Sequence, residues 1–371
     1  MVRTADVVVI GGGIHGCSTA LHLALRGLKP ILIEKDYAGR HASGVNAGGV
    51  RQLARDLHEI PLSISSMDLW ERIEELVGDD CGFGAHGTVL VAESEAELAG
   101  FRERVEDLRL RGFTHEELID AAELRRLVPA VSDRCPGGVV SRRDGAADPF
   151  RTTQAFRRRA VEKGAEVIEG VTVTGLTRSG ANWRVETSQG DFEAPKIVNA
   201  AGAWADRIAA MLGEPVPLAV VAPMLMVTSR LPAFIKPVVI LRGRKLSFKQ
   251  LDNGTVVIGG GHLSTPYRDS NETVLDWEKL AISARTVWEL FPAMHEATIV
   301  RAWAGIEAYM PDGIPVVGKS STSEGVFHQF GFSTHGFQLG PGTGAVMAEL
   351  VATGSTNTPI DGLGIERFGV K

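Results

Sequence analysis

Residues 6–34 read DVVVIGGGIHGCSTALHLALRGLKPILIE, and this stretch decides the fold. An apolar run from Asp6 to Ile10 meets the turn Gly11-Gly12-Gly13-Ile14-His15-Gly16. A helical run from Cys17 to Arg26 follows, and a second apolar run, Pro30 to Ile33, ends on Glu34. Strand, turn, helix and strand in that order make a complete β-α-β unit. Glycines at 11, 13 and 16 serve a tight turn, the approach of backbone N–H groups to a pyrophosphate, and the packing of helix on strand. The helix start then faces the phosphates. Glu34 lies 18 positions after Gly16, where an acidic side chain accepts both ribose hydroxyls and disfavours a 2′-phosphate. A dinucleotide with an unmodified adenosine is the expected ligand.

The rest of the chain is consistent with a small-molecule site. Its 371 residues suffice for two domains, and a net charge of −6 argues against nucleic acid or an anionic membrane as partner. Glycine, at 43 residues, is enriched over the usual ~7%, as expected where backbone approaches a ligand. Cys17, Cys81 and Cys135 are too few and too scattered for a disulfide framework or a cysteine metal site, so a reducing cytoplasm is expected. The ten histidines lack ligand spacing, and no metal is expected. No apolar segment reaches the 18 residues of a membrane span. Nor does the N-terminus resemble a secretory leader, so the sequons at Asn253 and Asn271 are disregarded.

Gly313-Ile314-Pro315-Val316-Val317-Gly318-Lys319-Ser320 matches the Walker phosphate-loop pattern. Its centre reads as a strand, however, and a loop follows where a helix is needed, so it is set aside. Elsewhere the pattern predicts helices over Asp56–Val77, Pro149–Lys163 and Thr273–Leu290, with a short one starting at Asp120 and ending at Pro129. Strands are predicted over Ala165–Ile168, Val171–Thr177, Trp183–Thr187, Phe192–Ala194, Lys196–Asn199, Ala297–Ile306 and Gly325–Phe330, and Val216–Gly261 is strand-rich. Gly331–Gln338 reads as a glycine-rich turn before a helix over Gly342–Thr353. That helix start would favour the negative N1–C2=O edge of a reduced flavin, which makes the dinucleotide FAD. The fold class is α/β with an α+β second domain. A Rossmann-like FAD-binding domain (1–84, 141–214, 306–371) is interleaved with an antiparallel-sheet substrate domain (85–140, 215–305).

On these pieces the chain resembles the glycine oxidase, sarcosine oxidase and D-amino-acid oxidase family of FAD-dependent amine oxidoreductases. The matching segments are the glycine motif with Glu34-Lys35, Arg40 to Arg51, Gly145 to Phe150, Asn199 to Trp204, Arg301 to Gly305, Pro311 to Gly318, and Gly331 to Gln338. Within the family it most resembles the β subunits of opine or D-hydroxyproline dehydrogenases. The resemblance implies non-covalent FAD lined by Gly11, Gly13, Ile14, His15, Gly16, Glu34, Lys35, Arg40, Ala42, Ser43, Ala47, Gly48 and Gly49. Val173 would lie at the adenine, with Ala201, Gly202 and Trp204 nearby, and Gly336, Phe337, Gln338 and Leu339 along the flavin.

It also implies hydride transfer from an amine carbon to flavin N5, giving an imine that water hydrolyses to an oxo acid and an amine. A fixed cation for the substrate carboxylate is then the main requirement. Where relatives carry an arginine after Ala304-Gly305-Ile306, this chain has Glu307, and where monomeric sarcosine oxidase has a lysine it has Gln338. Arg51 is therefore the expected carboxylate anchor, with Arg55, Arg301 and Lys249 as weaker candidates and Lys249 read as a solvated strand residue. Glu307 is open between a receptor for a substrate cation and a structural acceptor. His335 is read as a ring packed over the flavin. Oxygen or an electron-acceptor subunit is the expected partner, with homo- or hetero-oligomers possible. A 2-hydroxy-acid dehydrogenase and a non-catalytic FAD-bearing subunit are the alternative readings.

Overall fold

The computed structural model describes residues 2–369. Val7–Ile10, completely apolar and fully buried, sits at the middle of a six-stranded sheet. It pairs in parallel with Pro30–Ile33 on one side and Lys196–Asn199 on the other. Glu166–Ile168 extends the sheet beyond Pro30–Ile33, and Val326–Phe330 and then Val316–Lys319 extend it beyond Lys196–Asn199. Only the last pair is antiparallel. Continuous apolar strands suit a sheet covered on both faces. Helices Ile14–Leu25, Gly336–Thr353, Ile60–Trp70 and Pro149–Glu162 share one apolar core with it. A four-stranded sheet, containing the Asn182–Thr187 and Phe192–Ala194 hairpin, helps form a second core.

A second large sheet of eleven strands draws on residues 88–141 and 219–309. Its two sequence pieces meet where Thr88–Ala92 pairs with Val238–Leu241, and that contact is parallel within an otherwise antiparallel sheet. The strand Glu307–Tyr309, which a division at 306 gives to the cofactor piece, is hydrogen-bonded into this sheet along Ala219–Thr228.

Local caps explain several boundaries. Asp148 accepts the N–H of Arg151 with Pro149 in the first turn, and Asp120 accepts the N–H of Glu123. Asp276 likewise caps Trp277–Leu290, so the expected helix over Thr273–Leu290 is a short strand, Glu272–Val274, followed by the helix. The expected helix over Asp56–Val77 is two helices, Ile60–Trp70 and Ile73–Val77. Helix Glu95–Leu110, capped by Ser94, was not anticipated: its mostly charged sequence buries only Leu98, Phe101 and Leu108.

The C-terminal helix starts at Gly336, six residues earlier than its sequence suggests, with Pro341 inside it. Proline has no N–H and disturbs the preceding turn. The hydroxyl of Ser66 bridges the damage: it donates to the Gln338 carbonyl at 2.5 Å and accepts the Gly342 N–H at 3.0 Å. Trp70 Nε1–H also donates to that carbonyl, at 2.8 Å.

Candidate active site

A cavity of about 720 Å³ runs between the parallel sheet and the large sheet. One end is built by the glycine turn. Gly11 has φ +112°, and a Cβ there would meet the Ala200 carbonyl oxygen at 2.3 Å. A Cβ on Gly16 would meet the Gly11 carbonyl oxygen at 1.9 Å, so helix and turn touch backbone to backbone. No acidic side chain occupies the first turn of Ile14–Leu25. The Glu34 carboxylate accepts the N–H of Gly12 at 2.6 Å and of Asp36 at 2.8 Å. Burial nevertheless raises its pKa. Lys35 Nζ lies 4.0 Å from the centre of the Trp204 ring. His15 stacks on Phe332 at 3.6 Å, and both its ring nitrogens are buried without a partner. Burial holds this imidazole neutral, with its pKa pushed down to about 3. A helix start free of acid, a side-chain-free glycine turn, a fixed ribose-type acceptor and orphaned polar atoms on one wall fit FAD.

Of the residues expected to meet FAD, Gly11, Gly13, Ile14, His15, Glu34, Lys35, Arg40, Ala42, Ser43, Ala47, Gly49, Val173, Ala201, Gly202, Trp204, Gly336 and Phe337 line this cavity. Gly16, Gly48, Gln338 and Leu339 do not. Gly16 packs under the turn, and a Cβ on Gly48 would meet the Ala147 carbonyl oxygen at 2.1 Å. Leu339 lies in the core. Gln338 turns away from the cavity: its side chain accepts from Ser63 Oγ at 3.0 Å and donates to the Ser63 carbonyl at 2.9 Å. It therefore joins two helices, with Oε1 also 3.5 Å from Arg55 Nη2, which corrects its expected place along the flavin and the expectation that it positions the substrate directly.

The other end carries the charges. Asp144 accepts the N–H groups of Gln52 and Leu53, at 2.8 and 3.1 Å, and so fixes the loop that holds Arg51 and Arg55. Both arginines line the cavity, as do Arg104 and Glu307. Arg104 is neutralised by Glu116 at 2.8 Å. Arg51 donates to the Leu53 carbonyl. Arg55 is 2% exposed and donates to the Arg51 carbonyl at 2.6 Å, while its Nε and Nη1 are buried without partners. Burial, aided by the neighbouring Arg51 charge, lowers the Arg55 guanidinium to about 9. Arg55 was only a weak candidate from sequence, because nothing local says which of two arginines four residues apart is left unpaired.

His335 is not on the cavity wall; its Nδ1 bonds Glu59. Arg301 is exposed on Ile299–Ala304. Lys249, expected to be solvated, is 7% exposed with its ammonium lowered by burial to about 8. It packs toward Gly48, where the missing side chain leaves room for Nζ. In the Walker-like segment the anion is internal. Glu214 accepts from Ser320 Oγ at 2.7 Å, from the Ser321 N–H at 2.6 Å and from His328 Nε2 at 2.8 Å. No helix among the described residues is long and apolar enough to cross a membrane.

Comparison with known proteins agrees with this geometry. The model of the DAO family, described as FAD dependent oxidoreductase, matches residues 6–350. Sarcosine oxidase subunit beta of Rhodobacter capsulatus is 27% identical, over 98% of this chain and 88% of its own length. The mitochondrial sarcosine dehydrogenase of Homo sapiens is 29% identical over 98% of this chain, which spans only 41% of that protein. Among solved structures, L-proline dehydrogenase from P. horikoshii superposes with a TM-score of 0.92 at 28% identity, covering 100% of this chain and 99% of its own. With the glycine turn, Glu34 and the cavity beyond them in place, the chain belongs to the DAO family of FAD-dependent oxidoreductases.

Proposed function

We propose that this FAD-dependent oxidoreductase, which oxidises the C–N bond of an amino acid, acts on a secondary or N-alkylated amino or imino acid whose carboxylate is held by Arg51 together with Arg55. The observation that carries this reading is the Arg55 guanidinium, buried on the cavity wall with two nitrogens unpartnered. The charges of Glu59 and Asp144 offset only part of its burial, and buried donors without partners are costly; a ligand carboxylate satisfies them through a bidentate contact. The names of the similar proteins, a sarcosine oxidase subunit and an L-proline dehydrogenase, point to the same substrate class.

Bound FAD supplies the two-electron acceptor for the hydride lost from the substrate carbon. This chain's own residues bind and orient. The arginines fix the carboxylate, and the apolar side chains of Leu90, Ile240 and Leu246 from the large sheet exclude water above the reacting carbon. Water adds to the C=N bond of the imine product: an acyclic imine separates into a carbonyl compound and an amine, and a cyclic one opens to a single amino carbonyl compound. In this reading residues 1–84, 141–214 and 306–371 form the FAD-binding domain, from which Arg51 and Arg55 also reach the substrate, and 85–140 and 215–305 form the substrate domain, whose sheet is joined by the strand Glu307–Tyr309. Since similar proteins are named as β subunits, the reading extends to a multi-subunit enzyme, with oxygen or a partner subunit as the electron acceptor. Three free, buried thiols favour a cytoplasmic setting.

The test is anaerobic mixing of the yellow holoenzyme with sarcosine, dimethylglycine, proline, glycine, D-amino acids, opines and 2-hydroxy acids, following the flavin band near ~450 nm. Bleaching by an N-alkylated or cyclic amino acid is expected. Bleaching by 2-hydroxy acids alone overturns the reading.

A further inference from the structure

Glu307 lies on the short strand Glu307–Tyr309 and presents its carboxylate to the cavity that also holds Arg51 and Arg55. Its Oε1 accepts the Thr334 N–H at 2.6 Å. No basic side chain contributes to its surroundings, and burial raises its carboxyl to about 7. Tyr309, beside it, is itself pushed above its usual range, by burial and then by this carboxylate. The residue is half-buried, and its carboxylate has no ion-pair partner among the described residues, so it gives up part of its hydration and gains no counter-charge. The site thus holds an acid without a cation as well as a guanidinium with two unpartnered nitrogens.

One backbone segment ties the two together. Thr334 donates to Glu307, and the carbonyl of the next residue, His335, lies 3.5 Å from Arg55 Nη2. Ser333 and Thr334 have φ of +48° and +70°. Side-chain-bearing residues hold such angles at a cost of about 1–3 kcal/mol, and only where the surroundings enforce them. The bond to Glu307 is one of the contacts that do so, and it leaves the carboxylate fixed against the segment that Arg55 meets from its own loop.

We propose that Glu307 is a specificity-determining residue that receives the cationic nitrogen of the substrate and forms, with Arg51 and Arg55, a two-ended clamp for a zwitterion. This rests on reading the cavity as an amino-acid site.

The test is calorimetric titration of the holoenzyme with trimethylammonioacetate and with 3,3-dimethylbutanoate. The two share a carboxylate and a shape, and only the first also carries a cationic nitrogen. The wild type is expected to bind this zwitterion roughly tenfold or more tightly, as charge–charge attraction in a partly desolvated site implies. Glu307→Gln, which keeps an acceptor for Thr334, should bring the ratio to about one through weaker binding of the zwitterion alone. Glu307→Asp should keep part of the preference. A wild type that binds neither ligand, or does not prefer the zwitterion, overturns the proposal, as does a Gln variant with an unchanged ratio. Should the Gln variant fail to retain FAD, the Asp variant carries the test. It must weaken binding of trimethylammonioacetate and not of 3,3-dimethylbutanoate, and equal changes overturn the proposal. The quaternary nitrogen has no lone pair and is not oxidised, so this result stands apart from flavin bleaching. Preference for the zwitterion with no amine bleaching the flavin keeps the clamp and removes the C–N reading, and bleaching without preference does the reverse.

Discussion

The Nδ1 of His335 lies 2.9 Å from Oε1 of Glu59, which joins the residue before the C-terminal helix to the residue before helix Ile60–Trp70. Burial, and next to it the Arg55 charge, keeps the imidazole neutral with its pKa near 4, so Nδ1–H donates to the carboxylate. Burial opposes ionisation of Glu59, but the hydrogen bond from His335 and the Arg55 charge outweigh it, and the carboxyl lies below its usual range. Glu59 is therefore the buried counter-charge of this corner.

Glu59→Gln leaves the guanidinium groups of Arg51 and Arg55 without that charge. Removing one member of a buried charged set costs about 3–5 kcal/mol. A urea denaturation series on the holoenzyme should show a loss of that size. A loss below about 1 kcal/mol, the scale of a surface pair, would mean that other groups balance the arginines.

Gly16→Ala and Gly13→Ala should behave differently. The added Cβ at Gly16 meets a backbone carbonyl oxygen at 1.9 Å, whereas at Gly13 it meets the Ser43 hydroxyl at 2.9 Å, which can rotate away. Gel filtration with absorbance at the flavin band should find the first variant without FAD and the second folded but with weakened FAD retention, since its methyl group lies where the backbone approaches the pyrophosphate. Equal retention would show that the turn tolerates a shift of the whole helix.

Arg51→Ala and Gln338→Ala separate substrate binding from helix packing. The arginine variant should raise KM by about tenfold or more with its flavin spectrum intact, the effect of losing a charge-assisted contact. The glutamine variant removes both bonds to Ser63 and should lose about 1–3 kcal/mol of stability with KM near wild type. Steady-state kinetics together with thermal melts would reveal the reverse pattern if Gln338 met the substrate instead.

Acid should weaken the fold. Burial is the largest cause that lowers His15 to about 3 and His22, His41 and His335 to about 4, below the ordinary value near ~6.5. Between those limits the unfolded chain binds more protons, so the contribution is complete above ~6.5 and is lost as pH falls toward 4. Glu307, raised to about 7, acts in the opposite sense, favouring the fold below the ordinary carboxylate value and losing that as pH rises through 7. Burial also raises Glu34 and Asp144, which act as Glu307 does, and lowers His115 and His262, which add to the four imidazoles. The imidazoles outnumber the raised carboxyls, and the urea midpoint at pH 5 should lie below that at pH 7. Equal midpoints would mean that these imidazoles gain protons in the folded chain.

Local signals in the sequence carried much of this far. The capping aspartates at 120 and 148 and the apolar runs at 7–10, 30–33 and 196–199 are legible because each depends on neighbours a few residues away. Helix Glu95–Leu110 was not legible, because a face of three buried side chains among charges gives little periodicity. Lys249 reads as a surface residue, since only the bare backbone of Gly48, two hundred residues away, makes room for its ammonium.

By itself the sequence determined the dinucleotide turn. Gly11, Gly13 and Gly16 with Glu34 act through backbone geometry and a fixed spacing, and such constraints are written in residue order. The tertiary structure alone decided where the C-terminal helix begins. Pro341 argues locally for a start after it, and only Ser66 and Trp70, brought in from another helix, satisfy the carbonyl and amide that the proline leaves unpaired. It also decided that two nitrogens of Arg55 have no partner and that Glu307 shares the cavity they line. Pairing of buried charges depends on distances between segments far apart in the chain, and no local pattern encodes them.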